Sequence, residues 1–198
     1  MARLLMPALL LSSGVMGADV NAGYNVTAAA DAMTQLASHS WEWGTAAEAL
    51  LELYNPELSV FGANPFPNGR VPAADPGTVA LAYAQQFIQT GQQTLVPDGA
   101  VGDPASLGVS AILLGQSDST YIDAANSEAD YILNIAPRYS NGAISHRSDV
   151  AELWADFIAM APPFCTRFPF HLPLHLSSLA LPLLPPRSLI SCKQSFNI

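Results

Sequence analysis

Positive charge is scarce: the 198 residues contain one lysine, Lys193, and Lys plus Arg number 7 against 16 Asp plus Glu. The formal net charge is -9. Binding a phosphate backbone requires clustered cations, so nucleic acid is not an expected partner. Cysteine is nearly absent too. Cys165 and Cys192 both lie near the C-terminus. An oxidising compartment would allow a disulfide between them, but their spacing does not decide it. No strand alternation is sustained, no glycine-rich phosphate loop follows a strand, and no G-x-S-x-G elbow occurs. Among the histidines, only His171 and His175 have an i,i+4 relation, and they lie in a proline-broken stretch, so no metal site is expected.

Apolar residues are plentiful. Half the chain is hydrophobic and 12% is charged, which excludes a disordered chain and allows one domain with a sizeable core. Arg3 gives a basic start, Leu4 to Leu11 is an apolar run, and small uncharged residues lead to Ala18. This layout predicts a secretory signal peptide over residues 1–18 and an extracellular protein. The run is too short to span a bilayer, so no membrane partner is expected. On that reading Asn25, in Asn25-Val26-Thr27, becomes a candidate N-glycan acceptor.

From Tyr24 to Phe164 the pattern is helical. Residues 28–38 are alanine-rich, and Trp41 to Tyr54 carries apolar residues at helical spacing up to Asn55-Pro56. Residues 55–77 read as a long loop. Asp75-Pro76 and Asp103-Pro104 each look like an N-cap followed by a first-position proline, the former opening a helix to about Thr90. Asp118 to Asn134 predicts another helix. Asp149 with Glu152 resembles a capping box for a last helix ending at Pro162-Pro163. The expected fold is all-α, built from antiparallel helical hairpins.

Composition changes at Cys165. Residues 165–198 contain no Asp or Glu, and leucine and proline recur every few positions, so no helix or central strand can persist. The stretch reads as translated non-coding sequence, neither folded nor functional, and a continuous transcript preserving this frame across Phe164 and Cys165 would count against that.

The residues left to carry chemistry are carboxylates and aromatics, the usual equipment of carbohydrate-active sites. On a last helix Asp149, Glu152 and Asp156 would share one face, either a solvated acidic face or the setting of an acid. Asp156 lies between Trp154 and Phe157, surroundings able to raise a carboxyl pKa. His146 and Arg147 precede it, and either bind an anionic substrate or cap a neighbouring helix. Trp41 and Trp43, flanking Glu42, are either core or a sugar-stacking pair.

Taken together, WEWGTAAEALLELY, the Asp75-Pro76-Gly77 start, DPASLGVSAILLG and ISHRSDVAELWADFIAMAPPF resemble the six-hairpin glycosidases. The closest likeness is to the unsaturated glucuronyl and rhamnogalacturonyl hydrolases of glycoside hydrolase families 88 and 105, over roughly residues 24–164. Trp154-Ala155-Asp156 and Met160-Ala161-Pro162-Pro163-Phe164 match the family's catalytic motif. The resemblance implies an (α/α)6 toroid that hydrates the C4=C5 unsaturated uronic acid ending pectin-derived oligosaccharides. Asp156 would protonate C4 and help activate water towards C5. His146 and Arg147 would lie near the uronate, Trp41 or Trp43 would stack on a sugar, and Asp75 would be a second site carboxylate. No metal or cofactor is implied. The partner is an oligosaccharide, anionic by the His146-Arg147 pair.

The likeness stops at Phe164, which corresponds to about three hairpins of an incomplete toroid followed by the irregular tail. An open half-ring leaves apolar faces uncovered. A poorly soluble and inactive chain is therefore expected. The alternatives are a six-hairpin glycosidase for a neutral glycan and a secreted sugar-binding remnant without turnover.

Overall fold

The computed structural model of the chain describes residues 22–167. The expected signal peptide, Cys192 and residues 168–198 lie outside that range. Among the described residues the fold is all-α, without strands and with two isolated bridges, Ala100 to Arg147 and Arg138 to Ile144.

Capping residues and apolar spacing explain the clearest helices. α1 (Val26–Leu36) starts at Asn25, whose side-chain oxygen accepts the Ala28 N–H at 3.0 Å. α2 (Ser40–Tyr54) starts after His39, and the Glu42 carboxylate reaches back to the His39 N–H at 3.0 Å. Ala46, Ala47, Leu50 and Leu51 form its buried stripe. α3 (Val79–Ala84), α4 (Gly102–Ala105) and α5 (Gly108–Leu114) follow. Every residue of α5 is buried, which marks it as the centre of the core. α6 (Ser119–Asp130) is capped by Asp118, whose side chain accepts the Thr120 N–H at 3.0 Å, and it continues into a π turn at Tyr131–Ile135. α7 (Ala161–Arg167) closes the described chain. α2 packs on α1, α3, α4 and α5, while α5 also packs on α3, α6 and α7.

Gly44 sets the distance between α2 and the α4–α5 junction. A Cβ there would run into the Ser106 side chain and stand 2.7 Å from its backbone carbonyl carbon. Gly44→Ala is expected to force the two apart and cost about 1–3 kcal/mol. The check is a lowered midpoint in urea unfolding; an unchanged midpoint would mean that the junction yields to a methyl group without loss of packing.

Five local expectations are corrected. The irregular stretch does not begin at Cys165: Cys165, Thr166 and Arg167 belong to α7, and Arg167 is completely buried, because the helix started at Ala161 carries on past the two prolines. No helix runs from Asp149: residues 151–154 are non-helical, and a 3-10 turn follows at Ala155–Ala159. The cause is Ser145, whose hydroxyl accepts the Glu152 N–H at 2.9 Å while the Glu152 carbonyl accepts the His146 N–H at 2.8 Å. Those groups are thereby withdrawn from a helix, and Asp149, Glu152 and Asp156 do not share a helical face. Pro162 and Pro163 do not end a helix either. They occupy the first turn of α7, where a missing N–H costs nothing. Asp75 is not an N-cap. It accepts the Gly77 N–H at 2.8 Å in a turn, and α3 begins at Val79 and stops at Ala84, short of Thr90. Asp103 is not an N-cap either, because it lies inside α4, after Val101.

Candidate functional site

A wide-mouthed cleft of about 580 Å³ lies where the start of α2, residues 96–100, α4 and the segment after Ser145 meet. Trp41, Asp98, Asp103, His146, Arg147 and Trp154 are among its walls, and His39 and Trp43 also line it. Two loops are tied together to make it. The His146 carbonyl accepts the Val101 N–H at 2.7 Å, and the Gly99 carbonyl accepts the Ser148 hydroxyl at 2.8 Å.

Ser145 organises the second loop. Fully buried, it accepts the Arg147 N–H at 3.1 Å and the Glu152 N–H, and donates to the Val150 carbonyl at 2.9 Å. This knot sets His146, Arg147 and Trp154 side by side. The Trp154 ring stacks on the His146 imidazole, centroids 4.9 Å apart and planes 13° apart, and its N–H donates to Glu152 at 3.0 Å.

His146 is buried, and its Nε2 is 3.3 Å from Asp103 Oδ1. Its Nδ1 is buried with no hydrogen-bond partner. Gly102 makes room for the ring, since a Cβ there would lie 2.9 Å from Nδ1. Burial pushes the Asp103 carboxyl above the usual range; His146 opposes this, and the charges of Asp98 and Asp156 add to it. Asp98 accepts the Ser40 hydroxyl and, at 3.0 Å, the Ala100 N–H. A carboxyl whose proton affinity is raised by burial, set beside an imidazole, is suited to proton transfer.

The structure thus gathers His146, Arg147, Trp41 and Trp43 at one cleft. Trp43 belongs mostly to the packed interior, stacked on Phe87 at 4.4 Å. The Arg147 guanidinium is engaged by Asp149 through two bonds of 3.1 and 3.0 Å. Asp75 and Asp156 are both exposed and do not line the cleft. Asp98, Asp103, Ser145 and Trp154 complete the constellation. Of these, Asp103 stands out in the sequence as a helix start and Trp154 within the Trp154-Ala155-Asp156 match, whereas Asp98 and Ser145 carry no signal. Among the described residues, no group of three His, Cys, Asp or Glu side chains could hold a metal ion. Comparison with known proteins finds no match to any family model, curated protein or solved structure.

Proposed function

We propose that this chain is a secreted carbohydrate-active protein of the unsaturated uronyl hydrolase kind, its helices forming about three hairpins of an (α/α)6 ring. Its ligand is an oligosaccharide ending in a C4=C5 unsaturated uronic acid. The observation that carries the reading is the single cleft uniting Trp41, Trp154, His146 and Arg147 with the half-buried Asp103. Flat aromatic faces suit the C–H faces of sugar rings, and the guanidinium suits a carboxylate. Arg147 must first exchange Asp149 for that carboxylate. Both side chains are well exposed, so the exchange is inexpensive.

In the reaction of this kind a proton goes to C4, water adds at C5, and the resulting hemiketal opens to release the next sugar. Asp156 is the acid by resemblance. Asp103, with its raised pKa and its histidine partner, is the acid at the cleft. Asp156 is exposed and outside the lining of the cleft, although its charge reaches Asp103, and this placement favours binding with little turnover in this chain.

Titrating tryptophan fluorescence with an unsaturated rhamnogalacturonan disaccharide tests the reading. Saturable binding is expected, weakened about 3–10-fold by Trp154→Ala. No saturation would sink the proposal, and equal binding of a neutral disaccharide would shift it to a neutral-glycan enzyme. Any loss of double-bond absorbance should disappear in Asp156→Asn or Asp103→Asn. Binding without such loss would mark a sugar-binding remnant.

A further inference from the structure

We propose that Asn25 carries an N-linked glycan whose first sugar seats over the apolar groove between α1 and α2. Asn25 is exposed and heads the sequence Asn25-Val26-Thr27. Its side-chain carbonyl oxygen is turned into α1 to cap the Ala28 N–H. That cap engages the oxygen and not the amide nitrogen. The neighbours on either side, Tyr24 and Val26, both line a groove of about 430 Å³. Met33, Leu50 and Leu53 continue it, and Glu52 is its charged member. Tyr24 is 68% exposed and Leu53 42%.

The groove is lined mostly by apolar side chains, so a sugar ring laid over it removes apolar surface from water. A sugar bonded to Asn25 starts at its rim and needs no separate binding event. The C–H face of a pyranose ring meets the Tyr24 and Val26 side chains, and removing that surface from water is favourable. Glu52 supplies an acceptor for the acetamido N–H of an N-acetylhexosamine.

The transfer is chemically complete with a lipid-linked oligosaccharyl diphosphate as donor. The Asn25 Nδ2 attacks C1 of the sugar, the C1–O bond to the diphosphate breaks, and a C1–N bond forms. Nδ2 releases one proton, and the lipid diphosphate departs. The modification requires passage through a secretory compartment, as proposed above, but not the sugar-cleft reading.

Expression of the full chain through a eukaryotic secretory pathway tests both halves. The intact mass is expected to exceed that of the bare polypeptide by one glycan, and Thr27→Ala should abolish the excess while keeping the Asn25 cap. An endoglycosidase that leaves the first sugar should preserve Tm. An amidase that removes it, converting Asn25 to aspartate (also a good cap), should lower Tm by about 2–4 °C and raise binding of an apolar dye. A bare mass, or failure of the chain to enter the lumen, overturns the proposal. A glycan whose complete removal leaves Tm and dye binding unchanged overturns its seating in the groove.

Discussion

Arg167→Ala is expected to cost about 2–5 kcal/mol of stability, because two carbonyls lose a charged donor and a void opens in the interior. Arg167 is completely buried at the end of α7. Its Nη1 donates to the Leu58 carbonyl at 2.6 Å and its Nη2 to the Pro65 carbonyl at 3.4 Å, and the guanidinium lies 5.9 Å from the Phe66 ring centre. One side chain thus ties α7 to the long loop after α2. Burial lowers its pKa to about 10, and the field of Glu48 works in the other direction. Glu48, which accepts the Ser59 hydroxyl at 2.5 Å, is itself pushed upward by burial. Truncation leaves two carbonyls without their donor, deprives Glu48 of a nearby cation and opens a void. Arg167→Met fills the void without restoring the charge, so it should lose less. Urea unfolding of both variants decides the matter: an alanine variant within about 1 kcal/mol of the parent would mean that the loop is held by other contacts.

A second large effect concerns Glu128, fully buried on α6. Its Oε2 accepts the Leu95 N–H at 2.7 Å, whereas Oε1 is buried without a partner. Burial raises its pKa to about 8, the Leu95 bond opposes the rise, and the Asp98 charge adds to it. The folded state therefore keeps a proton that the unfolded state has already lost above its ordinary value of 4.5. Stability from this group is present below that value and is lost as pH rises towards 8, at up to about 1.4 kcal/mol per pH unit. Above pH 8 the loss levels off, because both states are then ionised. Glu128→Gln keeps an acceptor for Leu95 but removes the titration. Its stability relative to the parent should climb by about 3–4 kcal/mol between pH 5 and pH 8.5. Near pH 5 the parent should be at least as stable, since the extra amide N–H groups find no acceptor. Denaturant unfolding at several pH values gives the difference curve, and a flat curve would show that the carboxyl is not retained in its protonated form.

The sequence made some of this legible and hid the rest for physical reasons. α2 and α6 were readable because a helix bounded by a local cap and carrying an apolar stripe is written in neighbouring residues. Asp118 is such a cap. The segment after Ser145 was misread because Asp149 and Glu152 have a helix-start spacing, yet the deciding partner was a serine hydroxyl outside the supposed helix. Proline punctuation is likewise two-sided: Pro162-Pro163 suits the first turn of a helix as well as the end of one. Asp103 looked like a cap because its local pattern cannot report on His146, which the fold brings to it from another loop. His146, Arg147 and Trp41 were singled out by residue type, but their meeting at one cleft depends on Gly44, Gly102 and Ser145, small residues that attract little notice in a sequence.

The Ser145 knot has a thermodynamic consequence for anything that enters the cleft. The loop from His146 to Trp154 is closed on itself by short-range bonds, and the imidazole–indole stack exists before a ligand arrives. A ligand then immobilises few of those side chains on docking, so less of its interaction energy is lost to ordering them. Affinity at such a preorganised wall varies chiefly through the dissociation rate. Ser145→Ala would convert this wall into one that each ligand must assemble for itself, with slower association and a more unfavourable binding entropy.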